Sequence, residues 1–207
     1  MTKNNKQVIH HFEYIAPNYD RYKKRNDFYY TALKKAVQEH ITLGDVRILD
    51  IGCGTGEIIH FLKPESGIGI DVSHTMIELA NKKYQKKNNL RFFVHDIELK
   101  PYQGNFDYIL FNDVIEHVVN KGKVIKHIAA SMNKKTTLIL TMANPWWEPI
   151  LMLLEKLHLK MPEGPHSRIS ETDLCKLVDE NELYVELRRE YLLGIIYVYR
   201  IKKKIFN

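Results

Sequence analysis

The sequence predicts an α/β fold: a doubly wound, mostly parallel sheet of seven strands, helices on both faces, and an antiparallel hairpin at the C-terminal end. Three observations carry this. From residue 46 onward, short apolar runs alternate with helical patterns, the signature of β-α-β winding. The runs are almost continuously apolar rather than apolar on alternate residues, which marks strands buried on both faces. The last stretch, LYVELRREYLLGIIYVYRIKKK (183–204), reads as two β runs with little between them, which closes the sheet with a hairpin.

Taken in order, QVIHHFEYIAPNYD (7–20) sets apolar side chains at helical spacing up to Pro17. NDFYYTALKKAVQEHI (26–41) is a second helix, with Asn26 placed as its N-cap and Gly44 near its end. VRILDI (46–51) is a strand and EIIHFL (57–62) a helix stopped near Pro64. GIGIDV (67–72) is a strand, HTMIELANKKYQKK (74–87) a helix and LRFFVHDI (90–97) a strand. FDYILFNDV (106–114) is the fourth strand, KGKVIKHIAASM (121–132) a helix and TTLILTMA (136–143) the fifth strand.

The 207 residues suit one domain with a real core; there is no internal repeat, low-complexity tract or Gly/Ser linker. A composition of 44% hydrophobic and 27% charged residues is ordinary for a globular chain. The polar start MTKNNKQVIHHF has no apolar segment of a secretory signal, and no run approaches the ~20 apolar residues of a membrane span. Cys53 and Cys175 lie far apart and offer neither a disulfide framework nor zinc spacing, so a cytoplasmic setting is expected. Net charge is +6, with basic clusters at 19–27, 81–87, 133–135 and 202–204. Only the first interleaves more than one aromatic, as a nucleic-acid surface would, so these read as solvated faces and nucleic acid is disfavoured as a partner.

LDIGCGTGE (49–57) carries three glycines in five positions directly after the first strand. Glycine permits the tight turn and lets a ligand lie against bare backbone. The spacing is G-x-G-x-G, not G-x-G-x-x-G, and no phosphate-cradling G-x-x-x-x-G-K-[ST] occurs. Asp71 closes the second strand, where an acid takes both hydroxyls of a ribose and repels a 2′-phosphate; otherwise it caps the next helix. Asp96 closes the third strand, facing an exocyclic amine or serving a simple turn. Together these suit an adenosine. NAD and S-adenosyl-L-methionine both remain open, but no Tyr-x-x-x-Lys lies where a dehydrogenase would need it: Tyr19/Lys23 and Tyr30/Lys34 precede the loop, and Tyr199/Lys203 falls on a late strand.

ILDIGCGTGE, GIDVS, HDIE and FDYILFNDVIEHV, in order over residues 46–118, resemble the class I S-adenosylmethionine-dependent methyltransferases. The likeness is to the small-molecule, quinone-biosynthesis-like branch (methyltransferase types 11 and 12). It implies a Rossmann-like sheet and S-adenosyl-L-methionine as cofactor. It also implies roles by position. Asp50 with Gly52, Cys53 and Gly54 holds the methionine end, and Asp71 binds the ribose. Asp96 and Ile97 face the adenine, Asn112 lines the methionine side, and Val72 and Met76 complete the cofactor set. Residues 1–43 become a helical lid carrying Tyr14 and Tyr19, with one of Arg21, Lys24 or Arg25 at the cofactor carboxylate. Residues 44–143 form the cofactor core, 144–170 an apolar substrate-side insert, and 171–207 the C-terminal helix and hairpin.

Methyl transfer from a sulfonium needs alignment and exclusion of water, and a base where the acceptor is a hydroxyl of high pKa. His117, just past the fourth strand, is the candidate base, paired with the lid's Tyr19; its alternative is a structural histidine in the turn. His166 is a second candidate at the mouth of the site. NPWWEPILMLLEKLHLKMPEGPH (144–166) joins Trp146 and Trp147 to a very apolar stripe. That suits a lid over an apolar substrate, and alternatively peripheral membrane contact or a homodimer face. The reading is methyl transfer to a small, hydrophobic or lipid-like acceptor, most simply at oxygen, by a monomer or homodimer without a metal. An RNA or protein methyltransferase and a non-catalytic cofactor-binding module are the alternatives.

Overall fold

The computed structural model describes residues 3–42, 44–147 and 167–205. The chain opens with helices α1 (Lys3–Ile15), α2 (Tyr19–Arg25) and α3 (Asp27–Glu39), the first two joined by a short 3-10 turn at Ala16–Asn18. Alternation follows: β1 (Arg47–Ile51), α4 (Glu57–Leu62), β2 (Ser66–Asp71), α5 (His74–Lys83), β3 (Leu90–Val94), β4 (Tyr108–Asn112), α6 (Lys121–Ser131) and β5 (Thr137–Ala143). Helix α7 (Glu171–Glu180) and strands β6 (Leu183–Tyr191) and β7 (Ile196–Lys203) complete it.

The seven strands lie in the order β3-β2-β1-β4-β5-β7-β6. Strands β1 to β5 pair in parallel, while β7 inserts antiparallel between β5 and β6. The expected doubly wound sheet and its C-terminal hairpin are therefore present.

Burial explains why the strands read as unbroken apolar runs. Leu49, Ile51, Ile109, Phe111, Leu138 and Leu140 pack on the face covered by α6 and α7. Ile48, Leu110 and Ile139 point the other way, against α3, α4 and α5. Both sets are essentially solvent-free, and each such side chain contributes about 1.5–3 kcal/mol on burial.

Several boundaries differ from the sequence expectation, each for a local reason. The third strand ends at Val94, because Asp96 Oδ1 accepts from Glu98 N (2.8 Å) and turns the chain. Asp96 thus lies two residues beyond the strand. Helix α5 stops at Lys83; Tyr84 turns inward against Phe92 (centroids 5.8 Å) and Lys87 N closes a turn on Tyr84 O. Asn26 occupies the N-cap position of α3 without capping it, its Nδ2 donating backward to Tyr22 O instead.

The N-terminal helices lie across the carboxyl ends of the strands. Ile15 and Ala16 pack with Met76 of α5. Glu13 accepts from His74 N (2.6 Å) and Thr75 N (3.3 Å), and from the Thr75 hydroxyl. This places a carboxylate on the open N-terminus of α5, where backbone N–H groups and the helix dipole favour it. Asp20 accepts from Thr55 Oγ1 (2.6 Å) in the glycine loop and pairs with Lys83 (2.7 Å). Among the described residues, no helix is long and apolar enough to cross a membrane.

Candidate active site: a cleft beneath the N-terminal helices

In an open α/β sheet, ligands bind beyond the carboxyl ends of the strands where the winding reverses. Here that point lies between β1 and its neighbour β4. A cleft of about 510 Å³ opens there, roofed by α1 to α3, within the usual size of a small-molecule site.

Its floor begins with the glycine loop. Gly52 N and Cys53 N both donate to Ile70 O (2.8 and 3.0 Å), which sutures the loop to β2. Gly52 has φ +73°, and a Cβ there would stand 2.4 Å from Val114 Cγ2. Gly54, at φ +53°, has the Tyr19 ring 3.2 Å from where its Cβ would be. Side chains would therefore fill the cradle as well as strain it. Asp71 fixes the loop from the next strand: its Oδ2 accepts from Gly54 N and its Oδ1 from Ser73 N, both at 2.9 Å. Capping of α5 falls to Ser73, whose Oγ accepts from Met76 N, so Asp71 faces the cleft.

The cleft brings together Asp50, Gly52, Cys53, Gly54, Asp71, Val72, Met76, Asp96, Ile97 and Asn112, as well as Tyr19 and His117. Several of these carry unmet hydrogen-bonding capacity. Asp50 Oδ2, Asp96 Oδ2 and both polar atoms of the Asn112 side chain are buried without a hydrogen-bond partner among the described residues. Buried polar groups are nearly always satisfied; four such atoms around one cleft mark a place built for a polar ligand. Together with the bare cradle, they fit a cofactor with an amino-acid end and an adenosine.

Electrostatics follow from enclosure. Burial pushes the Asp50 carboxyl up to about 7, with Lys23 opposing and Asp71 adding to the rise. Asp71 is raised by burial against the pull of the N–H groups of Ser73, Gly54 and Val72. The Cys53 thiol is driven well above its ordinary value by burial and by Asp71 and Asp50, so it stays protonated and is no nucleophile. Tyr19 is also driven up, by burial and then by Asp71, Asp113 and Asp20; it remains a neutral phenol lying over the loop.

Other expectations fare differently. Tyr14 is 78% exposed and outside the cleft, because its position on α1 faces away from the face packed on α5. Trp146 is 88% exposed, and neither it nor Trp147 lines the cleft. Asn144 holds this turn, its Oδ1 accepting from Trp146 N and its carbonyl from Trp147 N. His166 and the apolar stripe of 148–166 lie outside the described residues.

Of the cations weighed for the cofactor carboxylate, Arg25 reaches the cleft; Arg21 and Lys24 do not. Lys23, which sequence reasoning passed over, is buried there. Its Nζ stands over Tyr19 (5.0 Å) and Tyr30 (4.8 Å) and pairs with Glu57 at 3.6 Å. Its i+4 spacing from Tyr19 on one helix face was the available signal.

The far wall is formed by the turn after β4 and by α3. Asp113, at φ +52°, accepts from Tyr29 OH and Thr141 Oγ1, each at 2.8 Å. His117 packs its ring edge-on against Phe12 of α1 (5.2 Å, 89°). Glu116 beside it is 5% exposed, accepts from Ala143 N at 3.1 Å, and has Arg168 Nη1 at 3.8 Å. Val8, Ile9, Phe12, Phe28, Val114, Leu192 and Ile195 make the rest of this wall apolar.

Comparison with known proteins agrees with this arrangement. A family model described as "Methyltransferase domain" matches residues 7–187. The ubiquinone biosynthesis O-methyltransferase of Coxiella burnetii is 29% identical over 156 residues, 72% of this chain and 64% of that protein. Malonyl-[acyl-carrier protein] O-methyltransferase 2 of Ilyobacter polytropus is 32% identical over 139 residues, 64% of this chain and 53% of the relative. The chain thus spans between half and two thirds of these relatives' length. The magnesium protoporphyrin IX methyltransferase of Synechocystis, solved with S-adenosylmethionine bound, shares the fold with a TM-score of 0.73 at 17% identity, over 99% of both chains. By the family match, the strand order and the glycine cradle beneath the N-terminal helices, the chain belongs to the methyltransferase domain family, as a class I, S-adenosylmethionine-dependent member.

Proposed function

We propose that the protein transfers a methyl group from S-adenosylmethionine to a hydroxyl of a small, largely apolar acceptor. The observation that carries this is the two-sided character of the cleft. One half is polar, with the unsatisfied atoms of Asp50, Asp96 and Asn112; the other half is walled by Phe12, Phe28, Val114, Leu192 and Ile195. The cofactor supplies an electrophilic methyl. The chain's own residues bind it, exclude water and align the acceptor.

In this reading Asp50 holds the amino group, Lys23 or Arg25 the carboxylate, Asp71 the ribose diol, and Asp96 with Ile97 the adenine. Tyr19, a neutral phenol, donates into the cleft above Gly54. His117 positions the lid through Phe12. The O-methyltransferase relatives support oxygen as the methylated atom. Trp146 is exposed and outside the cleft, and peripheral contact with a membrane that delivers a lipid-like acceptor fits that exposure.

An isotope-labelled methyl donor, incubated with protein and fractionated lysate, tests the reading. Label in the organic extract is the expected result. Label confined to RNA or protein would reassign the acceptor class, and binding without transfer to any fraction would reduce the chain to a cofactor-binding module.

A further inference from the structure

We propose that Glu116 is the group that takes the proton from the acceptor hydroxyl, so that the acceptor is a neutral, phenol-like or alcohol group rather than a carboxylate. This rests on the methyl-transfer reading above and names the acceptor subsite within it.

The carboxylate is held on one side only. Ala143 N fixes Oε1 at 3.1 Å, with Arg168 Nη1 at 3.8 Å. Oε2 is buried and has no hydrogen-bond partner among the described residues. Its backbone is equally fixed, Ser167 N donating to Glu116 O at 2.7 Å. Glu116 lines the cleft and keeps one carboxylate oxygen unpartnered; a rotation of its side chain toward the acceptor presents that oxygen to the hydroxyl proton.

The surrounding charges tune the group. Burial raises the Glu116 carboxyl above its ordinary range, Asp113 on the same turn adds to this, and Ala143 N–H and Arg168 oppose it. Tyr29 of α3 and Lys121 of α6 also sense its charge, and His117 adjoins it in the chain. A base displaced toward neutrality both accepts a proton and is ionised at working pH. An acceptor already carrying a carboxylate at the reacting atom would bring a third negative charge to Asp113 and Glu116, and would need no base.

The step balances without another reagent. The acceptor O–H bond breaks and its proton goes to Glu116 Oε2; the hydroxyl oxygen forms the new O–CH3 bond. The bond between methyl carbon and sulfur breaks, its electron pair remaining on sulfur and discharging the sulfonium. Glu116 then gives its proton to solvent.

Full-length Glu116→Gln tests this, with S-adenosylhomocysteine affinity by calorimetry as the check that the cofactor half is intact. Expected are unchanged affinity, turnover of the labelled organic product lowered by ~100-fold or more, and a rise of kcat/KM with pH in the wild type that the variant lacks. A second readout needs no turnover: 4-nitrophenol bound with S-adenosylhomocysteine, its ionisation followed by absorbance. The ionised Glu116 should hold the bound probe as phenol to higher pH in the wild type than in the variant. Should Glu116→Gln fail to bind S-adenosylhomocysteine, Glu116→Asp replaces it, with slowed turnover and a retained pH dependence expected. Wild-type label in the organic extract with an unaltered rate and pH profile in the variant would overturn the role of Glu116 alone. Label absent from that extract, with identical probe titrations, would remove the acceptor reading as well.

Discussion

Asp50 holds its proton far more tightly than a surface aspartate, with consequences for both stability and binding. Its folded value of about 7 lies above the ordinary one near 4. Between these values the folded chain keeps a proton that the unfolded chain has released, so this group costs the unliganded fold stability as pH rises through that window. An ammonium group arriving beside Asp50 reverses the preference, favouring the carboxylate. Affinity for S-adenosylhomocysteine should therefore rise with pH up to about 7, by at most ~tenfold per unit, with one proton released below that value. Calorimetry in buffers of different ionisation heat measures both, and Asp50→Asn should flatten the dependence. A pH-independent affinity in the unmodified protein would separate Asp50 from the cofactor. Gly52 sets a steric limit in the same place. Gly52→Ala adds a Cβ 2.4 Å from Val114 Cγ2 at φ +73°, which should cost about 1–3 kcal/mol and abolish cofactor binding. A chemical denaturation curve unchanged by the substitution would show that the loop relaxes freely.

The N-terminal helices are secured by carboxylates, and that makes their attachment acid-sensitive. Burial alone would raise Glu13, but its bonds to Thr75, Ser73 and His74 hold it below the ordinary range. Asp20 is likewise lowered, against burial, by Lys83 and Thr55, and Glu57 by Lys23 and Lys34. A depressed acid contributes stability that is present above its unfolded value, near 4, and lost as pH falls through its folded value. Below pH ~4, α1 and α2 should lose amide-exchange protection, corrected for intrinsic rates, before β1 and β4 do. Simultaneous loss would mean that these helices are held by apolar packing instead. None of these latches was legible in the chain. Glu13 and Thr75 are 62 residues apart, and nothing in their local patterns pairs them. The glycine loop and Asp71 were legible, because backbone constraints leave their mark as glycines and as an acid at a strand end. Asp96 lines the same cleft, but from a turn past the strand rather than its last residue, since its own side-chain bond turns the chain early.

At the scale of the molecule, the sheet order could be anticipated because unbroken apolar runs require cover on both faces, and the hairpin because its two β runs lack a crossover. What the pattern could not separate were neighbours in one turn. His117 and Glu116 adjoin in sequence, yet one ring packs on Phe12 of α1 while the other side chain is buried with an oxygen that has no partner among the described residues. Nor could it place Trp146, whose greasy character suggested a pocket wall although its side chain is 88% exposed. The fold brings the ends of β1, β2 and β4, and the turn after β3, to one cleft, and the account stands on that convergence. A crystal structure with S-adenosylhomocysteine tests it most directly. The amino-acid end is expected against Asp50 and Gly52, the ribose against Asp71 and the adenine beside Asp96 and Ile97, all beneath Tyr19. Ligand density elsewhere on the chain, or a cleft left empty at saturating ligand, would contradict it.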